Sequence, residues 1–250
     1  MKIAVSGKGG VGKTTLSSGL VKCFANTGVP VYAIDADPDT SLGITLGLDP
    51  EKLDQLVPLI DMKDVIEKKN AGGGLLVDLN PDVEDVIEDY CLKEGEILFF
   101  KMGGIKQGGS ACYCKENSFL QSILNSLLLD KSDPVIIDMS AGIEHLTRGT
   151  ARGVDLILVV TEPSVTSVKT SMIVKKLAEE IGVKKVMFVG NKIAGQEDSD
   201  FLYDHLPRDD FAGMIPFNRD ILRQSREQNS ADRSIIIQEI EDIFNNFLGR

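Results

Sequence analysis

Gly7-Lys8-Gly9-Gly10-Val11-Gly12-Lys13-Thr14-Thr15 is the stretch that decides the fold. It satisfies the pattern GxxxxGK[ST], and it lies between an apolar run, Lys2–Ser6, and an amphipathic helical pattern that opens at its last residues. That strand–loop–helix setting is what a phosphate-binding loop requires. With glycine at about 7% of average composition, a chance match in a chain of this length is on the order of one per cent. Glycines let successive backbone N–H groups turn inward around an oxyanion, and the helix N-terminus adds positive potential. Lys13 supplies a point charge for β- and γ-phosphates, and the Thr14 hydroxyl is placed to ligate Mg²⁺. Gly9, Gly10, Val11, Gly12 and Thr15 complete the expected cradle for ATP or ADP. The bland alternative is a glycine-rich turn between a strand and a helix.

Outward from the loop, short apolar runs alternate with helical patterns. The expected strands are Lys2–Ser6, Val29–Ile34, Ile97–Met102, Val135–Met139, Leu156–Thr161, Lys185–Gly190 and a weaker Gly213–Pro216. Most are continuous rather than alternating, as parallel strands buried on both faces should be. Helical stripes fall between them: Leu16, Leu20, Cys23 and Phe24 on one helix, Ile173, Leu177 and Ile181 on another. The expected fold is α/β, a doubly wound, mainly parallel sheet flanked by helices, with nucleotide at the carboxyl ends of its strands. Residues 49–96 break the rhythm. They are acidic, carry Gly72–Gly74, and read as an irregular insertion with one or two helices inside a single domain spanning 1–250.

Acidic residues stand where a nucleotide site needs them. Asp35, Asp37 and Asp39 follow the second apolar strand, and carboxylates at a strand end beside phosphates can hold magnesium waters or orient an attacking water. Helix-capping aspartates are the plainer reading of that cluster. Asp138 ends the run Val135-Ile136-Ile137 as a Walker B aspartate does, and would hold Mg²⁺ through water. Ile215-Pro216 is placed to wall a base through its backbone.

The formal net charge of -11 makes nucleic acid and anionic membranes poor partners, because like charge repels at long range. No stretch approaches the roughly 20 continuous apolar residues of a membrane helix, and Met1–Ser6 reads as a core strand rather than a secretory leader. A cytoplasmic location is expected, where Cys23, Cys91, Cys112 and Cys114 are thiols or metal ligands rather than disulfides. Cys23 falls on the first helix's apolar stripe and reads as core; Cys91 receives no role. Cys112-Tyr113-Cys114 follows Gly108-Gly109-Ser110-Ala111, so two thiols share one glycine-led loop. A lone pair offers too few ligands for a closed site. Two copies facing a two-fold axis would supply four. His145 and His205 read as packing or surface residues.

Lys8 carries the resemblance to a known family. KGGVGKTT is similar to the deviant Walker A loop of the ATPases that include nitrogenase iron protein, the arsenite-pump ATPase, and the division-site and plasmid-partition ATPases. The resemblance implies a homodimer with ATP sandwiched in it, in which Lys8 reaches the partner's phosphates. It implies too that Asp37 of the D-x-D-P stretch positions the hydrolytic water, with Asp35 nearer the metal. Ala141-Gly142 resembles switch II, where a glycine N–H contacts the γ-phosphate, and Asn191-Lys192 resembles the adenine-contacting position.

KGGVGKTT, DADPD, GGSACYC and DMSAGIEHLTRGT together resemble the accessory ATPases that mature nickel carbon monoxide dehydrogenase. The accessory ATPase of acetyl-CoA synthase is nearly indistinguishable at this level. The likeness runs over most of the chain and is weakest in 49–96 and beyond Asn218. It implies that Cys112 and Cys114 of two subunits bind one Ni²⁺ or Zn²⁺ per dimer, for a client nickel enzyme. Two other classes compete. A positioning ATPase often ends in a basic amphipathic helix, whereas Arg233–Leu248 carries Glu239, Glu241 and Asp242. An electron-transfer ATPase like nitrogenase iron protein draws its cluster cysteines from separate loops, and here the plausible ligands are adjacent.

Overall fold

Continuous apolar runs become strands, and those at the centre of the sheet are covered on both faces. A computed structural model describes residues 1–37, 39–61, 90–103, 132–141, 146, 151–224 and 238–248. The strands are β1 (Lys2–Gly7), β2 (Val31–Ala36), β3 (Leu92–Glu94), β4 (Ile97–Lys101), β5 (Val135–Met139), β6 (Leu156–Thr161), β7 (Val186–Ile193) and β8 (Phe211–Pro216). They form one sheet in the order β3-β4-β2-β5-β1-β6-β7-β8. All pairings are parallel except β3 with β4. The helices among the described residues are α1 (Lys13–Asn26), α2 (Leu42–Leu46), α3 (Pro50–Gln55), α4 (Val165–Ile181), α5 (Gln196–His205), α6 (Arg219–Gln224) and α7 (Gln238–Leu248).

The alternation along β1 shows why the sheet needs two layers. Ile3 and Val5 pack with Leu16, Leu20, Cys23 and Phe24 of α1, while Ala4 belongs to the opposite core with Val168, Val174 and Ala178 of α4. Each large side chain buried this way stabilises the fold by about 1.5–3 kcal/mol. The α7 helix lays Ile240, Ile243 and Phe244 on the α1 side, with Phe244 edge-on to Phe24 at 4.8 Å between ring centroids.

The expected strands are all present, with some corrections. Val29 is 40% exposed and β2 begins at Val31, after Pro30. The edge strand, β3, lies inside the region expected to be an insertion; its three residues make an antiparallel hairpin on β4. Within that region residues 50–55 form a helix capped by Asp49, whose side chain accepts from Glu51 N–H and Lys52 N–H; residues 62–89 lie outside the described part.

The second helical stripe is wrong in its first member. Ile173 is 59% exposed, and the face α4 buries is Ser167, Val168, Ser171, Val174 and Ala178. Leu177 and Ile181 only flank it. Ser164 caps its N-terminus, accepting from Ser167 N–H, and Gly182 ends it at φ 93°.

Candidate nucleotide site

The carboxyl ends of β1, β2, β5, β6 and β7 lie on one side of the sheet, where the order steps from β1 to its two neighbours. That is the crevice in which open α/β sheets bind ligands. The loop from β1 to α1 fills it. Gly7, at φ 142°, leaves only 2.3 Å between an added Cβ and the carbonyl oxygen of Val160. Gly12, at φ 101°, begins α1, and a Cβ there would stand 2.2 Å from Asn191 Nδ2. Neither position admits a side chain, so the loop is pressed against β6 and β7.

Lys13 is 7% exposed and its ammonium lies 3.3 Å from Asp37 Oδ2. Thr14 Oγ1 shares a hydrogen bond of 3.1 Å with Ser41 Oγ. One turn into α1, Ser17 donates to Asp138 Oδ1 at 3.0 Å. Asp35 and Asp138 are paired Cα partners on the neighbouring strands β2 and β5, so their carboxylates stand side by side. Both are buried, and Asp35 Oδ1 and Asp138 Oδ2 have no partner among the described residues.

Burial pushes the Asp35 carboxyl up to about 7, opposed by the Leu42 N–H that donates to its Oδ2 at 2.8 Å and helped by the Asp138 charge. Burial raises Asp138 to about 6 against the hydrogen bonds of Thr14 and Ser17 and the charge of Lys13. Two buried carboxylates, each with an unpartnered oxygen, beside a threonine hydroxyl are a hard, oxygen-only donor set, and that set fits Mg²⁺.

Two cavities flank the loop and share Gly10 and Gly12. One, of about 370 Å³, is lined by Gly9, Lys13, Thr14, Asp37, Asp39, Ser41, Ser140 and Ala141, the groups a phosphate chain with its metal would meet. The other, of about 250 Å³, is lined by Thr15, Leu16, Asn191, Lys192, Ile215, Pro216, Phe217, Asn218 and Ile221, which suits a flat base. Together they have the two-part form of a nucleoside phosphate.

Asn191 and Lys192 reach the loop because the β7–β8 register shifts between Gly190 and Ile193. Such bulges re-aim side chains beside active sites. Lys192 adopts φ 61° there. Asn191 Nδ2 donates to the Val11 carbonyl at 2.7 Å, and Lys192 Nζ donates to the Gly10 carbonyl at 2.7 Å.

Lys8 is held within its own chain, donating to Thr166 Oγ1 at 3.1 Å and lying 3.9 Å from Glu162 Oε1. Gly142, Cys112, Cys114 and His145 lie outside the described residues. Cys23 is core as expected, burial pushing its thiol up to about 11, and Cys91 packs half-buried against the core. His205 closes α5, its Nδ1 2.8 Å from the Phe201 carbonyl.

Four residues at the site escape a reading of the chain in one dimension. Ser17 is legible in hindsight as one helical turn beyond Lys13. Ser41 and Phe217 carry no motif. Glu162 meets Lys8 and Lys192 only because β6 lies between β1 and β7 in the sheet.

A glycine loop joining a central parallel strand to its helix, with paired aspartates on adjacent strand ends, defines a P-loop nucleotide-binding protein. The CobQ/CobB/MinD/ParA nucleotide binding domain model matches residues 2–231, and the chain belongs to that family. It is 38% identical over 221 residues to the carbon monoxide dehydrogenase accessory protein CooC of Rhodospirillum rubrum, covering 87% of this chain and 84% of that protein. An ATP-binding protein of Methanocaldococcus jannaschii is 36% identical over 98% of this chain and 96% of its own length. Among solved structures, the MinD cell division protein of Aquifex aeolicus superposes with TM-score 0.67 at 20% identity, over 100% of this chain and 97% of its own.

Proposed function

We propose that the protein is a cytoplasmic, ATP-hydrolysing metallochaperone that helps insert nickel into carbon monoxide dehydrogenase, or into acetyl-CoA synthase. The observation that carries this reading is the 38% identity to a carbon monoxide dehydrogenase accessory protein along 87% of the chain. The nucleotide-site geometry supports the ATPase half of it. The metal half rests on the resemblance of the Cys112-Tyr113-Cys114 loop, two copies of which would hold one Ni²⁺ or Zn²⁺ as cargo in a homodimer.

In the proposed cycle ATP lies across Gly9–Thr15, its base beside Asn191, Lys192 and Pro216. Mg²⁺, held by Thr14, Asp35 and Asp138, would neutralise phosphate charge. Lys13 exchanges Asp37 for the phosphates, and that exchange frees the Asp37 carboxylate to accept from the water that attacks the γ-phosphorus. ADP is the leaving group. Lys8 of each subunit acts on the partner's phosphates, and a Gly142 N–H meets the γ-phosphate, so closure and hydrolysis are coupled. A membrane- or DNA-cycling role has less support. Ile240, Ile243 and Phe244 of α7 are buried in the core shared with α1, and the net charge of -11 disfavours anionic membranes and nucleic acid.

The test is reconstitution. Nickel-deficient carbon monoxide dehydrogenase is incubated with limiting Ni²⁺ and this protein, with MgATP or with a non-hydrolysable analogue. Activation that requires both the protein and hydrolysable ATP is expected. Activation equal to that by free Ni²⁺ would remove the chaperone role.

A further inference from the structure

Three lysines crowd the phosphate loop, and each is engaged by an acidic group of its own chain. Lys13 lies on Asp37. Lys8 and Lys192 share Glu162, one on each carboxylate oxygen: Lys8 Nζ is 3.9 Å from Oε1 and Lys192 Nζ is 3.2 Å from Oε2. The Glu162 backbone is fixed by the turn from β6 into α4, its N–H donating to Ser167 Oγ and its carbonyl accepting from Ser164 N–H. The carboxylate is therefore presented from a rigid point rather than from a loose loop. Thr166, two residues into α4, supplies the second hold on Lys8.

We propose that Glu162 is a positioning residue: with Thr166 it latches Lys8 inside its own subunit, and the latch must open before Lys8 can reach a partner's nucleotide. The inference rests on the trans role of Lys8 in the proposed function. One ammonium cannot sit on Glu162 and on phosphates across a dimer axis at once, so every closed dimer must break two latches. Lys192 stays attached to the loop through the Gly10 carbonyl. Glu162 thereby ties the base-side strand to the lysine used for dimerisation, and both lysines compete for its charge. The pair is about a quarter exposed on the carboxylate side and 40% exposed on the lysine side, so each latch is a weak one.

The experiment measures dimer mass against ATP concentration, by light scattering, in the full-length protein carrying a hydrolysis-blocking Asp37→Asn background. Glu162→Gln should lower the ATP concentration for half-maximal dimerisation by about two- to fivefold per latch, the factor expected of a weak exposed pair. Thr166→Val, which keeps the shape and leaves Lys192 untouched, should move it the same way. In a Lys8→Ala background both gains should vanish, because there is no ammonium left to release. A merely structural Glu162 would give looser dimers, and no such dependence on Lys8. An unchanged or raised half-point in both Glu162→Gln and Thr166→Val overturns the latch, as does a gain that persists without Lys8. The trans role itself is read from Lys8→Ala alone: dimers that form on ATP as in the parent sink that reading, whereas their loss combined with inert Glu162→Gln and Thr166→Val sinks only the latch.

Discussion

Asp35 and Asp138 show how a single side chain ties stability to function. Their folded pKa values, about 7 and about 6, lie above the ordinary 3.8. Between roughly pH 4 and 7 the folded chain therefore holds protons that the unfolded chain has released, and stability without magnesium falls as pH rises through this window. Magnesium competes with those protons, so its affinity in the presence of nucleotide should rise from pH 6 to pH 8. Asp35→Asn should raise the melting temperature at pH 8 in chelator, by an amount equivalent to about 1–3 kcal/mol for the relieved buried charge, and should abolish magnesium-dependent turnover. A lower melting temperature in chelator would show that Asp35 is structural rather than held in readiness for a cation. Asp37 makes the complementary case. Asp37→Asn frees Lys13, so ATP should bind at least as tightly while turnover falls about 100-fold or more, the scale of losing a water-orienting group. Near-native turnover would mean that another carboxylate, such as Asp39 in the lining of the same cavity, does this work.

At the scale of elements, continuity of the apolar runs was enough to read the parallel strands, because burial on both faces leaves no polar alternation to misread. The phosphate loop was legible for a different reason: its chemistry is local and its residues adjacent. What stayed hidden depends on distance or on packing. The three-residue β3 is a strand only because β4 lies beside it. Ile173 fits a helical period yet faces outward, since the face α4 buries runs through Ser167, Val168, Ser171, Val174 and Ala178. Lys8 and Thr166 meet across 158 residues of sequence, a contact no spacing rule reaches. Close packing makes its own prediction at α1. A Cβ on Gly19 would stand 2.7 Å from Ile240 Cδ1 and 2.9 Å from its Cγ2. Gly19→Val should therefore push α7 off α1 and cost about 1–3 kcal/mol, measured as a lower denaturation midpoint. An unchanged midpoint would mean that α7 contributes little to the stability of the sheet's α1 face.

For the whole molecule, the proposed function couples a nucleotide site built within one chain to a metal site that two chains would complete. Each ligand that favours the closed dimer should then tighten the other, since the coupling free energy is shared between them. Metal binding should also weaken in acid, where thiols keep their protons. The most direct measurement titrates the purified, reduced protein with Ni²⁺, with and without a non-hydrolysable ATP analogue, following heat and molecular mass together. The expected result is one Ni²⁺ per two chains, tighter binding when the analogue is present, and loss of the site in either Cys112→Ala or Cys114→Ala. One Ni²⁺ bound per monomer, or full binding by the double Cys112→Ala/Cys114→Ala variant, would contradict it.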